Sequence, residues 1–294
     1  MTFERCSFAS FDNCIILRLN DLKLIVTTEV GPRILYFGPE NGPNMLLVRK
    51  EHEGLKDGEY HSYGGHRLWI APEKKPNTYT PDSFPVLEEV IENGVMLSSP
   101  IDEFGIQKSM SIIVRPWFFE ILHEVTNHSY KPVTLAPWAI TVMAPGGEVL
   151  VPQNPTRPQG DDNLLPIQSI VLWGYTEMTD PRYSWGRRVI RLRSTDDLHP
   201  TKFGAFVHAG LAAYSNLGYT FLKRFYTYHG EPLPDRGCNF ESYTKQGMLE
   251  VESLAPLQTI EPGKKSDTHI ERWTLTEGVA PDGDDEAYEW LMNL

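Results

Sequence analysis

Apolar and polar positions along this chain fall into short runs, and most of the runs read as strands. Segments 15–19 and 22–26 are branched and apolar, separated by the turn pair Asn20-Asp21. Segment 33–37 follows Gly31-Pro32. Segments 86–91 and 95–98 flank Asn93-Gly94, a strong hairpin signal. Longer runs cover 106–114, 118–125 and 133–143, and the second half continues with 202–207, 219–225, 238–243, 248–254 and 267–275. Strands at this spacing, with no helical pattern between them, predict stacked antiparallel sheets. Two stretches depart from the rhythm. Residues 152–166 carry Pro152, Pro155, Pro158 and Pro166 among polar neighbours, which predicts a long loop. In 281–294, Ala287, Trp290, Leu291 and Leu294 fall at helical spacing behind Asp284, Asp285 and Glu286. That predicts one short amphipathic helix with acids at its N-terminus.

The 294 residues show no internal repeat and no linker-like shift in composition, so one domain, 1–294, is expected. No apolar run approaches the roughly 18 residues of a bilayer span. The first residues lack a basic segment followed by an apolar one, so a cytoplasmic protein without membrane contact is expected. Cys6, Cys14 and Cys238 are odd in number and lack metal-ligand spacing, which predicts a reducing setting, no metal and no cofactor. The formal net charge of −12 speaks against a nucleic-acid surface, which needs a basic field. It also makes a polyanionic substrate less natural. The oligomeric state leaves no mark on the sequence.

Candidate chemistry gathers in two stretches. In "MLEVESLAP", side chains alternate, so Glu250 and Glu252 share a face with Met248 and Leu254, their carboxylates roughly 6–7 Å apart. Leu249 and Val251 take the other face toward a core. The acidic face then meets either bulk solvent or a cleft. In "YGGHRLWIAPE", the glycine pair would let the backbone turn sharply and approach a ligand. His66 offers a proton donor or acceptor near neutral pH, Arg67 a fork of donors, and Trp69 a flat apolar face. The other reading is a hairpin entry with a buried tryptophan and a surface histidine.

Further candidates are scattered. His229 lies in a loop with Tyr226 and Tyr228. Lys202 and Lys223 sit among apolar neighbours, either as edge residues with the stem along the surface or as inward donors. Glu241 shares its strand face with Asn239 and Tyr243. Asp180 and Arg182 share a turn sequence, and either satisfy each other or reach a ligand. His123 and His128 are expected to be structural. No histidine pair has the spacing of a helical zinc site, and no glycine-rich phosphate loop or Gly-x-Ser-x-Gly elbow occurs.

After "MLEVESLAP" comes a turn-rich hook with Pro262-Gly263, then a closing strand with His269, Glu271 and Trp273 on one face. This order resembles the C-terminal end of galactose-mutarotase-like domains. "GPRILYFG", "YGGHRLWIAPE" and "VTNHSYKPVTLAPWAITVMAPGGEVLVP" resemble the early strand, the sugar-site entry and the central strands of that superfamily. "LWGYTEMTDPRYSWG", "PTKFGA" and "FLKRFYTYHGEPLPDRGCNFESYT" are similar to a bacterial branch of aldose-1-epimerase-like proteins. The resemblance implies an all-β supersandwich of large antiparallel sheets with a short C-terminal helix, and a sugar or oligosaccharide as partner. It implies interconversion of sugar anomers without a cofactor, with Glu250 as base, Glu252 as its substitute and His66 as acid. Arg67, Trp69, Lys223 and His229 would position the ring, with Glu241, Lys202 and Arg182 as further contacts. Two other outcomes fit the same scaffold: a carbohydrate-binding protein without catalysis, and a glycan-cleaving lyase or glycosidase.

Overall fold

The computed structural model describes residues 3–154, 159–160, 162 and 164–294. Two large antiparallel sheets and one C-terminal helix make up the fold. The eleven-stranded sheet runs in the order Glu4–Phe8, Phe11–Leu19, Leu22–Thr27, Arg33–Pro39, His66–Ala71, Val133–Met143, Met248–Leu254, Phe240–Lys245, Thr201–Ala205, Ile170–Leu172, and Gln258–Ile260 also pairs with Val133–Met143. The ten-stranded sheet runs Tyr183–Trp185, Val189–Arg193, Glu148–Pro152, Leu211–Asn216, Tyr219–Phe225, His269–Glu277, Phe119–Asn127, Ile106–Val114, Gly94–Ser98, Leu87–Ile91.

The inward faces of both sheets interdigitate in one apolar core. At its centre Phe37 meets Phe119, Phe221 and Trp273 edge-on, with ring centroids 5.4–5.9 Å apart. That geometry sets the positive edge of one ring against the negative face of another. The helix Asp284–Asn293 lays Ala287 and Leu291 on Leu150, Val189 and Leu222. Its first residue anchors it, because the Asp284 carboxylate accepts the backbone N–H groups of Arg188 and Val189 at 2.9 and 3.0 Å.

A proline inside a central strand needs an explanation, since it cannot donate to the ladder. Val133–Met143 contains Pro137 and changes partner there. Residues Val133 to Leu135 pair with Gln258–Ile260, and Trp138 onward pairs with Met248–Leu254. Pro137 still accepts the Ala255 N–H at 3.0 Å, so only a donor at the changeover is missing.

Most of the expected strands are present, with ends shifted by a few residues. Strands over Glu4–Phe8, His66–Ala71, Glu148–Pro152, Ile170–Leu172, Tyr183–Trp185, Val189–Arg193, Leu211–Asn216 and Gln258–Ile260 were not foreseen. His66–Ala71 is buried on both faces, so its pattern carries no alternation. The glycine pair before it answers to the fold rather than to a ligand. Gly64 and Gly65 have φ of +84° and +68°, and a Cβ on either would lie 2.1 Å from the carbonyl oxygen of Leu47 or Ile34. The expected loop at 152–166 starts as the Glu148–Pro152 strand ends. Pro155 and Pro158 lie outside the described residues.

Candidate active site

Alternation along five adjacent strands of the larger sheet sends one set of side chains to its outer face. Cross-strand register sorts them into rows. Trp69, Trp138 and Leu254 stand opposite one another; Arg67, Ile140, Glu252 and Glu241 form the next row; Val142, Glu250, Tyr243 and Lys202 form the third. With Tyr60, Tyr79 and Tyr175 from the loops, they build a cleft of about 350 Å³ in which Glu250 and Arg67 sit among aromatic walls.

Beneath this floor lies a buried charge cluster. The Lys202 ammonium is 2.6 Å from Glu241 Oε2 and 3.1 Å from Glu252 Oε2. Trp138 Nε1 donates to the same Glu252 oxygen at 2.8 Å. The ammonium also stands over the rings of Trp138 and Trp173, at 4.6 and 4.7 Å from their centroids. Burial works against its charge, yet the Glu252 and Glu241 carboxylates hold the lysine well above its ordinary value. Burial and the Glu252 charge push Glu241 well up, with Lys202 opposing. Gly204 makes room for this arrangement: a Cβ there would be 2.5 Å from Cys238 Sγ and 3.3 Å from Glu241 Cγ.

Two carboxyls line the cleft without an ion pair to Lys202: Glu73, which is exposed and accepts the Tyr79 hydroxyl, and the more enclosed Glu250. It is half-buried and lines the cleft. Burial, then the Glu252 charge, raises it to about 7, against the pull of Arg67 and Lys202. Arg67 stacks its guanidinium on Trp69 at 3.9 Å from the ring centroid and donates to the Tyr60 hydroxyl at 3.0 Å. Its Nε is buried without a partner. The cleft therefore offers a carboxyl that changes charge near neutrality, a forked donor and flat aromatic surfaces.

The expected meeting of His66 with Glu250 does not occur. Residues 66 and 67 point to opposite faces, so a strand that sends Arg67 and Trp69 to the cleft sends His66 into the core between the sheets. There His66 Nδ1 bonds Thr141 Oγ1 and its Nε2 bonds His123 Nε2, both at 2.8 Å. Lys223 is in the same core. Its ammonium donates to Glu271 Oε1 at 2.8 Å and to the Val251 carbonyl at 2.9 Å, so it cannot touch a ligand in the cleft. Ser253 and Trp273 Nε1 also donate to Glu271, at 2.5 and 2.8 Å, and His269 Nε2 bonds Ser253 at 2.7 Å. His66, His123 and Glu271 bring ligand atoms within 4.8 Å of one another, close enough for a metal ion. Those atoms, however, are already engaged. An Nε2–Nε2 separation of 2.8 Å is that of one imidazole donating to the other, and both Glu271 oxygens already accept hydrogen bonds.

Two more expected contacts fall elsewhere. His229 is exposed beside Phe206 and His208, outside the cleft lining. Arg182 is buried in an ion pair with Asp180 at 2.6 Å and donates to the His199 carbonyl, so the turn satisfies itself. The structure thus gathers Glu250, Glu252, Glu241, Lys202, Arg67 and Trp69, and excludes His66, Lys223, His229 and Arg182. It adds Trp138, Trp173, Tyr243 and the loop tyrosines. Trp138 lies in an apolar run whose two faces look alike. Tyr243 had a signal, since it shares a face with Glu241.

No family model matches the chain, and no curated protein does. Solved structures do match. An Escherichia coli K12 protein provisionally named an aldose 1-epimerase superposes with a TM-score of 0.58 at 10% identity, over 90% of this chain and 99% of that one. A galactose mutarotase-like protein from Lactobacillus casei gives 0.55 at 9% identity, over 90% and 100%. A second from Clostridium acetobutylicum gives 0.53 at 9%, over 94% and 98%. The chain therefore has the galactose-mutarotase-like fold. At this identity the likeness fixes the architecture, and any chemistry has to be argued from this chain's own residues.

Proposed function

We propose that the protein binds a free aldose in the outer-face cleft and interconverts its α and β anomers. The observation that carries this reading is Glu250, a carboxyl raised to about 7 and placed among Arg67, Tyr243 and the aromatic walls. Anomer exchange needs a base for the C1 hydroxyl proton and a donor for the ring oxygen. The ionised Glu250 takes the proton as the C1–O5 bond breaks. Tyr243 stands across from both Glu250 and Lys202 in register, so its phenol, which burial and Glu250 keep protonated against the pull of the Lys202 ammonium, is the donor to O5. The open aldehyde turns about C1–C2, and as O5 attacks the other face of C1 the Tyr243 phenolate takes back the O5 proton while Glu250 gives its proton to the aldehyde oxygen, which restores both groups. Arg67 and Trp69 hold the ring. Glu252 keeps the Lys202 charge in place and does not substitute for Glu250.

A glycosidase is less well supported. It needs two carboxyls free on either side of the scissile bond, the acid with a raised pKa, whereas Glu241 and Glu252 are engaged by Lys202 and Glu73, the other carboxyl of the cleft, is exposed and accepts the Tyr79 hydroxyl. The test is equilibration of α-D-galactose and α-D-glucose followed by polarimetry or NMR. Glu250→Gln keeps shape and removes the base, so exchange falls at least about a hundredfold with folding intact. Because the ionised form is the base, kcat/KM for wild type rises with pH and bends near pH 7. Exchange at the uncatalysed rate in both proteins would leave a sugar-binding protein and end the catalytic reading.

A further inference from the structure

A second cavity, of about 390 Å³, lies on the other side of the His66–Ala71 strand from the cleft. Leu68 lines it, whereas its neighbours Arg67 and Trp69 line the cleft. Its mouth carries two large apolar side chains left in water, Phe84 at 43% exposure and Ile101 at 52%.

Its polar lining is unusual. Lys108 is 93% buried, since only 7% of it is exposed, and its ammonium donates only to Thr80 Oγ1, at 3.3 Å; among the described residues no carboxylate lies within 4 Å of it. Asp82 gives one oxygen to Arg33, and its Oδ1 is buried without a partner. Asp102 Oδ1 accepts the N–H groups of Phe104 and Ile106, while Oδ2 is buried and free. Thus Lys108, Asp82 and Asp102 line one space and none is paired with another, and an unpartnered carboxylate oxygen lies just beneath its wall at both aspartates. Buried polar groups in that state are satisfied by water or by a ligand that displaces it.

Charge decides what that ligand is. A cationic ligand meets Lys108. An anionic ligand meets Asp82, Asp102 and Glu103. A neutral hydroxyl suits both, accepting from the ammonium while donating to a carboxylate. Leu68, Ile101 and the open face of Phe84 offer the apolar wall on which the C–H side of a ring, or an apolar substituent, can rest. We infer that this cavity is a second ligand site, separate from the cleft, for a neutral polyhydroxylated ring bearing an apolar substituent.

Phenyl β-D-glucopyranoside is a suitable probe, read by methyl NMR at two reporters: Ile101 in this cavity and Ile140 in the cleft. Ile101 should titrate to saturation. Phe84→Ala changes an exposed side chain, so folding is preserved; it should weaken the Ile101 titration about tenfold, in line with the loss of one aromatic contact. The Ile140 response should not change. Lys108→Met should weaken the Ile101 titration at least as much. An Ile101 methyl that does not saturate, or that Phe84→Ala leaves untouched, overturns the site. Equal binding of toluene would reduce it to an apolar void, and tighter binding of phenyl glucuronide would overturn the neutral class.

Discussion

At the scale of single residues, the cleft separates two glutamates two positions apart on one strand face. Glu252 is wholly buried and meets Lys202 and Trp138 Nε1. Glu250 has no such partner, and its carboxyl rises to about 7. This has a consequence for stability as well as for catalysis. A carboxyl whose folded value exceeds its unfolded value favours the folded state at low pH, and that contribution is lost as pH rises through about 7. Glu250→Gln has no proton to lose. Relative to wild type it should therefore gain stability between pH 5 and pH 8.5, on the order of 2 kcal/mol. Urea unfolding at the two pH values measures this. An unchanged difference would mean that Glu250 is solvated like a surface carboxylate.

At the scale of elements, the structure shows what alternation reveals and what it hides. Met248–Leu254 was legible because Leu249 and Val251 are apolar where Glu250 and Glu252 are not. His66–Ala71 was not, because both of its faces are buried and its polar residues fall on both. Lys223 had the same ambiguity, and its partner Glu271 lies far along the chain. The pairing has a measurable consequence. Lys223→Met leaves the buried Glu271 carboxylate without its cation, a change that costs about 3–5 kcal/mol. Adding Glu271→Gln removes the stranded charge and should recover a large part of that. In the proteins that stay folded, anomer exchange should proceed at the wild-type rate, because both residues face the core. A Lys223→Met protein of normal stability but with a raised KM would return Lys223 to the ligand.

At the scale of the whole molecule, the run of short strands and turn pairs announced two stacked sheets, since that signal is local and repeats along the chain. Which distant side chains meet between the sheets is not local. His66, His123 and His269 come from three strands and join in one buried network, and only the packing of the sheets makes them neighbours. The network sets the acid response. Burial holds His123 and His269 down to about 3 and lowers His66 well below its ordinary value. Unfolding releases all three to take up protons from about pH 6.5 downward. The folded state binds fewer, so their contribution to stability is present above that value and is lost as pH falls toward 3. Glu250 and Glu241 act oppositely between the ordinary carboxylate value and their raised ones, because there the folded state holds the extra protons. Stability should therefore decline gently from pH 6.5 to about 4.5 and steeply below it, by about 1.4 kcal/mol per pH unit for each unmatched proton. Glu250→Gln removes one of the opposing carboxyls, so the decline in the upper window should steepen by about that one proton. Urea unfolding at half-unit intervals from pH 7 to pH 3 resolves both slopes. A wild-type curve that is flat down to pH 3 would show that the three imidazoles are hydrated or paired in a way that lets them charge in place.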